Sequence, residues 1–175
     1  MKRYLSISLL CATALFATDY SKAIEVPDAK AIIQKDLLPP FKEVQMPKGC
    51  VSSDPKAIAR GAYMFNNLNG ENAKGDAPEG LSKVNADGKA KQYGNCVACH
   101  NIEKAVGGGN VGPDLSSYHD IFVASGVRDA EYVFKKIADP RFDNPQTHMT
   151  VNLATKLFSE KEICDITSYI LSIKK

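Results

Sequence analysis

The chain has 175 residues, with 22 basic and 20 acidic side chains, a formal net charge of +2 and 44% hydrophobic residues. That length suits one ordinary domain, and so balanced a charge provides no basic field for nucleic acid or an anionic membrane.

Lys2 and Arg3 precede an apolar run over residues 5–17, followed by the small-residue site Ser21-Lys22-Ala23. This is the pattern of a secretory signal peptide, too short to span a bilayer, with cleavage expected after Ala23 and the mature chain expected in the periplasm. A lipoprotein reading would use Cys11, but Leu10 suits it poorly and the apolar run continues past it. Losing residues 1–23 removes Lys2, Arg3, Lys22 and Asp19 and leaves basic and acidic side chains equal in number. Partners are then to be sought by local patches.

The mature chain divides into an arm over 24–53 and a domain over 54–175. Residues 28–38 carry Ala29, Ile32, Ile33 and Leu37 at helical spacing and end at Pro39-Pro40, which predicts a short amphipathic helix. It lies either on its own domain or against a partner. Asp54-Pro55 opens a second helix through Ile58, Gly61 and Phe65, with an N-cap and a proline in the first turn. Gly61 costs about 1 kcal/mol against alanine there, which points to another backbone passing close by. Residues 69–92 are rich in Gly, Asn, Asp and Lys and read as a surface insertion with a turn at Asp87-Gly88. Its Lys74, Lys83, Lys89 and Lys91 form either a docking patch or a solvated loop. A further helix is predicted over about 129–138. Ser159 and Glu162 form a capping box for the last helix, where Ile163, Ile166, Ile170 and Ile173 share one face. This face is expected to meet the second helix at Gly61. With no sustained alternation of period two, the fold class is all-α.

Between these helices stands Cys96-Val97-Ala98-Cys99-His100. Two thiols at this spacing can each add across a haem vinyl group, and the histidine that follows can sit beneath the iron as its proximal ligand. A zinc knuckle would need a second ligand pair, and a thioredoxin-like motif a βαβ setting; neither is present. The motif therefore predicts one covalent haem c on Cys96 and Cys99, with His100 on the metal.

The arrangement over 54–175 resembles the class I cytochromes c: a first helix with Gly61 and Phe65, the haem motif, a Gly112-Pro113-Asp114-Leu115 loop and a late methionine before a terminal helix. The resemblance implies that the Pro113 carbonyl accepts a hydrogen bond from the second ring nitrogen of His100, fixing its tautomer and raising its basicity. It also implies Met149 as the distal iron ligand, ahead of Met46 in the arm and Met64 in the first helix. His148 is the rival, because imidazole binds iron well, and His119 stands behind it. Neighbours in an extended loop point opposite ways, so only one of His148 and Met149 can face the iron. Arg141 is expected either to pair with a haem propionate or to cap the preceding helix. Tyr93, Tyr118 and Tyr169 read as packing residues.

Within that class, Gly94-Asn95-Cys96, Gly109 to Leu115, Asp139-Pro140-Arg141 with Asn144-Pro145 before Met149, and Ser159 to Tyr169 resemble the SoxX cytochromes of bacterial sulfur oxidation. Thr150 departs from the proline usual after the methionine. The resemblance implies a SoxAX heterodimer with a larger SoxA-like haem subunit, in which thiosulfate is oxidatively joined to a carrier-protein cysteine on the partner's haem. This chain would pass the electrons to a downstream c-type cytochrome. It shows no nucleophile–base constellation of its own, and a haem with both axial positions filled offers substrate no site. The alternative is a free, diffusible periplasmic carrier of the same fold. Of the remaining cysteines, Cys50 and Cys164 are expected to form a disulfide in an oxidising compartment, with unpaired thiols or a bond to another subunit as alternatives.

Overall fold

The computed structural model describes residues 38–105 and 107–174, folded around three helices: α1 (Pro55–Asn66), α2 (Ala130–Ala138) and α3 (Glu160–Ser172). The expected signal peptide, Cys11 and all but Leu38 of the expected helix over 28–38 lie outside the described residues. Each helix begins where its sequence says it should. Asp54 accepts from the Lys56 N–H and Pro55 occupies the first turn of α1. Asp129 accepts from the Tyr132 N–H in α2, and Ser159 and Glu162 form the capping box of α3. At the end of α1 the side-chain amides of Asn66 and Asn67 donate to the carbonyls of Ala62 and Tyr63 at 2.8 and 2.9 Å, taking up acceptors that the last turn leaves open.

The helix α3 is the axle of the fold. Instead of an isoleucine stripe with a polar back, every residue from Ile163 to Ser168 is buried, because α1, α2 and the arm pack around it. Its polar members are satisfied: the Thr167 and Ser168 hydroxyls donate to the carbonyls of Ile163 and Cys164 at 2.8 Å each. Asp165 receives Nε and Nη2 of Arg60 at 2.7 and 3.0 Å. Such pairing is required, since a buried carboxylate without a partner costs several kcal/mol. The crossing with α1 falls at Gly61, where a β-carbon would lie 2.0 Å from the Asp165 carbonyl oxygen. Phe65, Phe134 and Phe158 are fully buried in the core, each contributing on the order of 2–3 kcal/mol of transfer free energy.

The arm runs from residue 38 to the N-cap of α1 without helix or strand. It is clipped to α3 by the Cys50–Cys164 disulfide, the pairing expected from sequence, and by the Ser52 N–H donating to Ser168 Oγ at 3.0 Å. The insertion is more ordered than its composition suggests. Antiparallel bridges pair Asn69 with Gln92 and Val84 with Ala90 around the Asp87-Gly88 turn, and the Tyr93 hydroxyl donates to the Ser82 carbonyl at 2.8 Å. Lys91, expected as a free surface cation, meets the Glu162 carboxylate and ties the insertion to the start of α3.

Candidate haem site

The haem motif is held against the end of α1. Gly94 and Asn95 donate through their N–H groups to the carbonyls of Met64 and Asn67 at 3.2 and 3.0 Å. Asn95 is left-handed, with φ of 44°, and starts a 3-10 turn over Cys96–Ala98. The His100 N–H closes it onto the Cys96 carbonyl at 2.9 Å, so both thiols and the imidazole leave one turn of backbone. Gly94 has no room for a side chain because Cys96 Sγ stands 2.7 Å from where its β-carbon would be. Cys96 and Cys99 are not joined to one another. Burial pushes the Cys96 thiol up to about 12, as a sulfur facing apolar surroundings requires.

His100 is 9% exposed, and its Nδ1 lies 2.8 Å from the Pro113 carbonyl oxygen. A carbonyl only accepts, so this contact puts the proton on Nδ1 and leaves the Nε2 lone pair available to a metal. The following loop is strapped to the motif, with the Gly112 N–H on the Cys99 carbonyl and the Leu115 N–H on the Asn101 carbonyl, both at 2.8 Å. Glycine is required at 112: a β-carbon would stand 2.3 Å from Cε1 of the His100 ring.

Cys96, His100, Pro113 and Met149 line one cleft of about 230 Å³, walled by Phe65 of α1, Val133 and Ile137 of α2, Ile166 and Ile170 of α3, and Leu115. Cys99 is exposed beside it. Met149 is half-buried on the cleft, while His148 is exposed and outside it. His119 lies in a π-helical turn (His119–Val123) and pairs with Asp120 at 3.1 Å, also outside. Met64 is wholly buried in the core, and Met46 packs against the core from the arm. A larger groove of about 730 Å³ is lined by α1, α3 and Val97 and contains no cysteine, histidine or methionine.

Arg141 is not at the cleft. It forks onto Asp139, with Nε and Nη2 at 2.8 and 2.6 Å from the two carboxylate oxygens, and its Nη1 donates to the Pro39 carbonyl at 2.8 Å. The cations that do line the cleft are Arg128 and Lys136, which sequence reading passed over. Lys136 hydrogen-bonds Asp143. Arg128 has no ion-pair partner among the described residues and lies 4.0 Å over the Tyr132 ring. A sequence clue to Lys136 existed: Tyr132, Val133, Lys136 and Ile137 share the face of α2 turned to the cleft, and a cation on an apolar face calls for an anion. Asn152 is the other unforeseen member. Its Nδ2 donates to the Ile137 carbonyl at 2.7 Å, and its buried Oδ1 has no hydrogen-bond partner among the described residues.

This donor set fits haem. It offers an imidazole with a fixed tautomer, a thioether, a thiol at the wall and another one turn away, apolar walls for a flat macrocycle, and cations for its carboxylate edge. No helix among the described residues is long and apolar enough to cross a membrane. No curated protein matches the chain. The family model for cytochrome c matches residues 85–174, a little over half of the sequence, taking in the haem motif, the Pro113 loop, Met149 and α3. The chain belongs to the cytochrome c family, whose members carry covalently bound haem c and transfer electrons.

Proposed function

We propose that the chain carries one haem c and serves as the electron-exit subunit of a periplasmic SoxAX-type complex oxidising thiosulfate. Cys96 and Cys99 would hold the group covalently, each S–H adding across one vinyl double bond, so that sulfur would bond one carbon and hydrogen the other. The observation that carries the ligand set is the shared cleft, in which His100, oriented by the Pro113 carbonyl, and Met149 are both wall residues while His148 is not. Bound iron supplies a one-electron ferrous–ferric couple. The protein supplies the rest: the hydrogen bond to Pro113 would keep Nε2 basic, the apolar walls would exclude water, and Arg128 and Lys136, which line the cleft, would be available to the propionates. His100 and Met149 are the residues that would hold the iron, which would leave it no coordination site for a reactant.

The SoxAX assignment rests on the residue patterns around Asp139-Pro140-Arg141, Asn144-Pro145 and Met149. Here Arg141 sits within a 3-10 turn (Pro140–Phe142) and donates to the Pro39 carbonyl, so this loop also holds the arm at residue 39. Purification from native extract tests the reading. A stoichiometric larger c-type cytochrome in the same fraction supports the complex; elution as a pigmented monomer assigns the chain to the free carriers. Sequencing the mature terminus tests export, with Ile24 expected as the first residue.

A further inference from the structure

We propose that Asn101 and Asp114 are positioning residues, whose side chains form the rung that keeps the Pro113 carbonyl on Nδ1 of His100 and so sets how well the imidazole supports ferric iron. The inference rests on the haem-carrying reading above. Nδ2 of Asn101 donates to Oδ2 of Asp114 at 2.9 Å and to Oγ of Ser116 at 3.3 Å. The Ser116 N–H donates to the other carboxylate oxygen of Asp114 at 2.8 Å. A carboxylate only accepts, so the amide is turned with Nδ2 towards it and Oδ1 away. On that far side Gly108 leaves the room, since a β-carbon there would stand 2.5 Å from Oδ1 of Asn101 and 2.8 Å from its Cα.

Asn101 follows His100 and Asp114 follows Pro113, so the side-chain rung is the next step along from the contact between imidazole and carbonyl. Backbone bonds fix the two ends of the loop, from the Gly112 N–H to the Cys99 carbonyl and from the Leu115 N–H to the Asn101 carbonyl, both at 2.8 Å. Proline has no N–H, so Pro113 brings only its carbonyl to this ladder. Pro113 and Asp114 are exposed, and water there competes for the carbonyl that His100 uses. Because the two residues share one planar peptide, lifting the carbonyl off the ring carries Asp114 with it. The bonds from Asn101 and Ser116 resist that movement. A firm acceptor on Nδ1 makes the imidazole a more basic ligand, which favours the ferric state. Loosening the rung therefore raises the reduction potential.

The test compares Asn101→Ala, Asp114→Ala and Asp114→Asn in the full haem-loaded chain by two readouts. These are the solvent exchange rate of the His100 Nδ1 proton, followed by NMR in the reduced protein, and the reduction potential. Asn101→Ala leaves the net charge unaltered and should speed the exchange about tenfold, the weight of one hydrogen bond to a charged group, with a potential above that of the wild type. Asp114→Ala should speed the exchange to a similar extent. Asp114→Asn makes the same change in charge but keeps a polar partner for the Asn101 amide, so its exchange should stay within about twofold of the wild type. Exchange and potential unmoved in Asn101→Ala, even with a lower Tm, mark a merely structural pair and overturn the inference. Asp114→Asn matching Asp114→Ala overturns it too. The Soret absorption of the same samples separates the two failures, since pigmented protein with an indifferent Nδ1 proton sinks the rung alone and colourless wild-type protein sinks the reading beneath it.

Discussion

Replacing Gly61 with alanine sets two known effects against one another at a single atom. Helix propensity alone favours the change by about 1 kcal/mol, because alanine restricts the unfolded chain and suits a helix interior. The crossing opposes it: the new β-carbon would lie 2.0 Å from the Asp165 carbonyl oxygen, 2.6 Å from its carbonyl carbon and 2.9 Å from the Tyr169 β-carbon. Two of these atoms are helix backbone and cannot rotate away, so α1 and α3 must part by about 1.4 Å to reach ordinary contact at 3.4 Å. That separation also opens the Arg60–Asp165 fork, whose side chains are only 12% and 8% exposed. Overpacking costs typically about 1–3 kcal/mol, and a rigid obstacle with a buried ion pair behind it belongs at the upper end. The net expectation is a loss of about 2 kcal/mol, or roughly 6–12 °C in Tm for a domain of this size. Thermal unfolding of the haem-loaded protein, followed by far-ultraviolet circular dichroism, measures it. A variant that melts a few degrees higher than the wild type would falsify the crossing argument.

Three further outcomes follow from the same structure. Replacing Cys50 and Cys164 by alanine releases a cross-link over a sequence separation of 114, worth about 4–5 kcal/mol in the chain-entropy account; a change below about 1 kcal/mol in denaturant unfolding contradicts that account here. Gly112→Ala pushes a methyl group into the His100 ring and breaks the 2.8 Å contact to Pro113. Loss of such a supporting contact typically weakens metal binding about 10–100-fold, so added imidazole should displace a native ligand at concentrations that leave the wild type unaltered, and an unchanged imidazole titration argues against the role given to Pro113. Burial raises the pKa of the Glu162 carboxyl, but Lys91 and Ser159 outweigh it and hold the group below the ordinary value of 4.5. Because the folded value is depressed, the stabilisation is complete above about pH 4.5 and is lost as the pH falls through the folded value. Glu162→Gln should lower stability at pH 7 and flatten the acid limb of the stability profile, and parallel acid limbs in the two proteins rule this out.

What could be read from the sequence was local or strongly periodic. The caps of α1 and α3 lie within three residues of their partners, Gly61 is anomalous inside an apolar helix, and the cysteine–histidine motif is contiguous. The Arg60–Asp165 pair spans 105 residues and exists only because Gly61 sets the register of the crossing, so no pattern in either helix announces it. The sequence offers Arg141 either a propionate or the end of the preceding helix, because a guanidinium makes bidentate contacts to any carboxylate; in the fold Asp139, two residues away at the end of α2, meets it with both oxygens. Arg128 was passed over because it lies in a polar stretch before α2, where only the fold shows it reaching the cleft over Tyr132. The composition of the insertion pointed to a solvated loop, yet hydrogen bonds such as the Gly70 N–H to the Lys91 carbonyl at 2.8 Å give it a shape that apolar content does not encode.

The central claim is that one iron porphyrin is tethered to this chain by two thioether bonds, and a pyridine haemochrome assay on protein washed with acid acetone addresses it directly. One haem per polypeptide, retained through the wash and lost from a Cys96→Ser/Cys99→Ser variant, is the expected result. Pigment that leaves with the solvent, or a wild-type protein without a Soret band, contradicts the account.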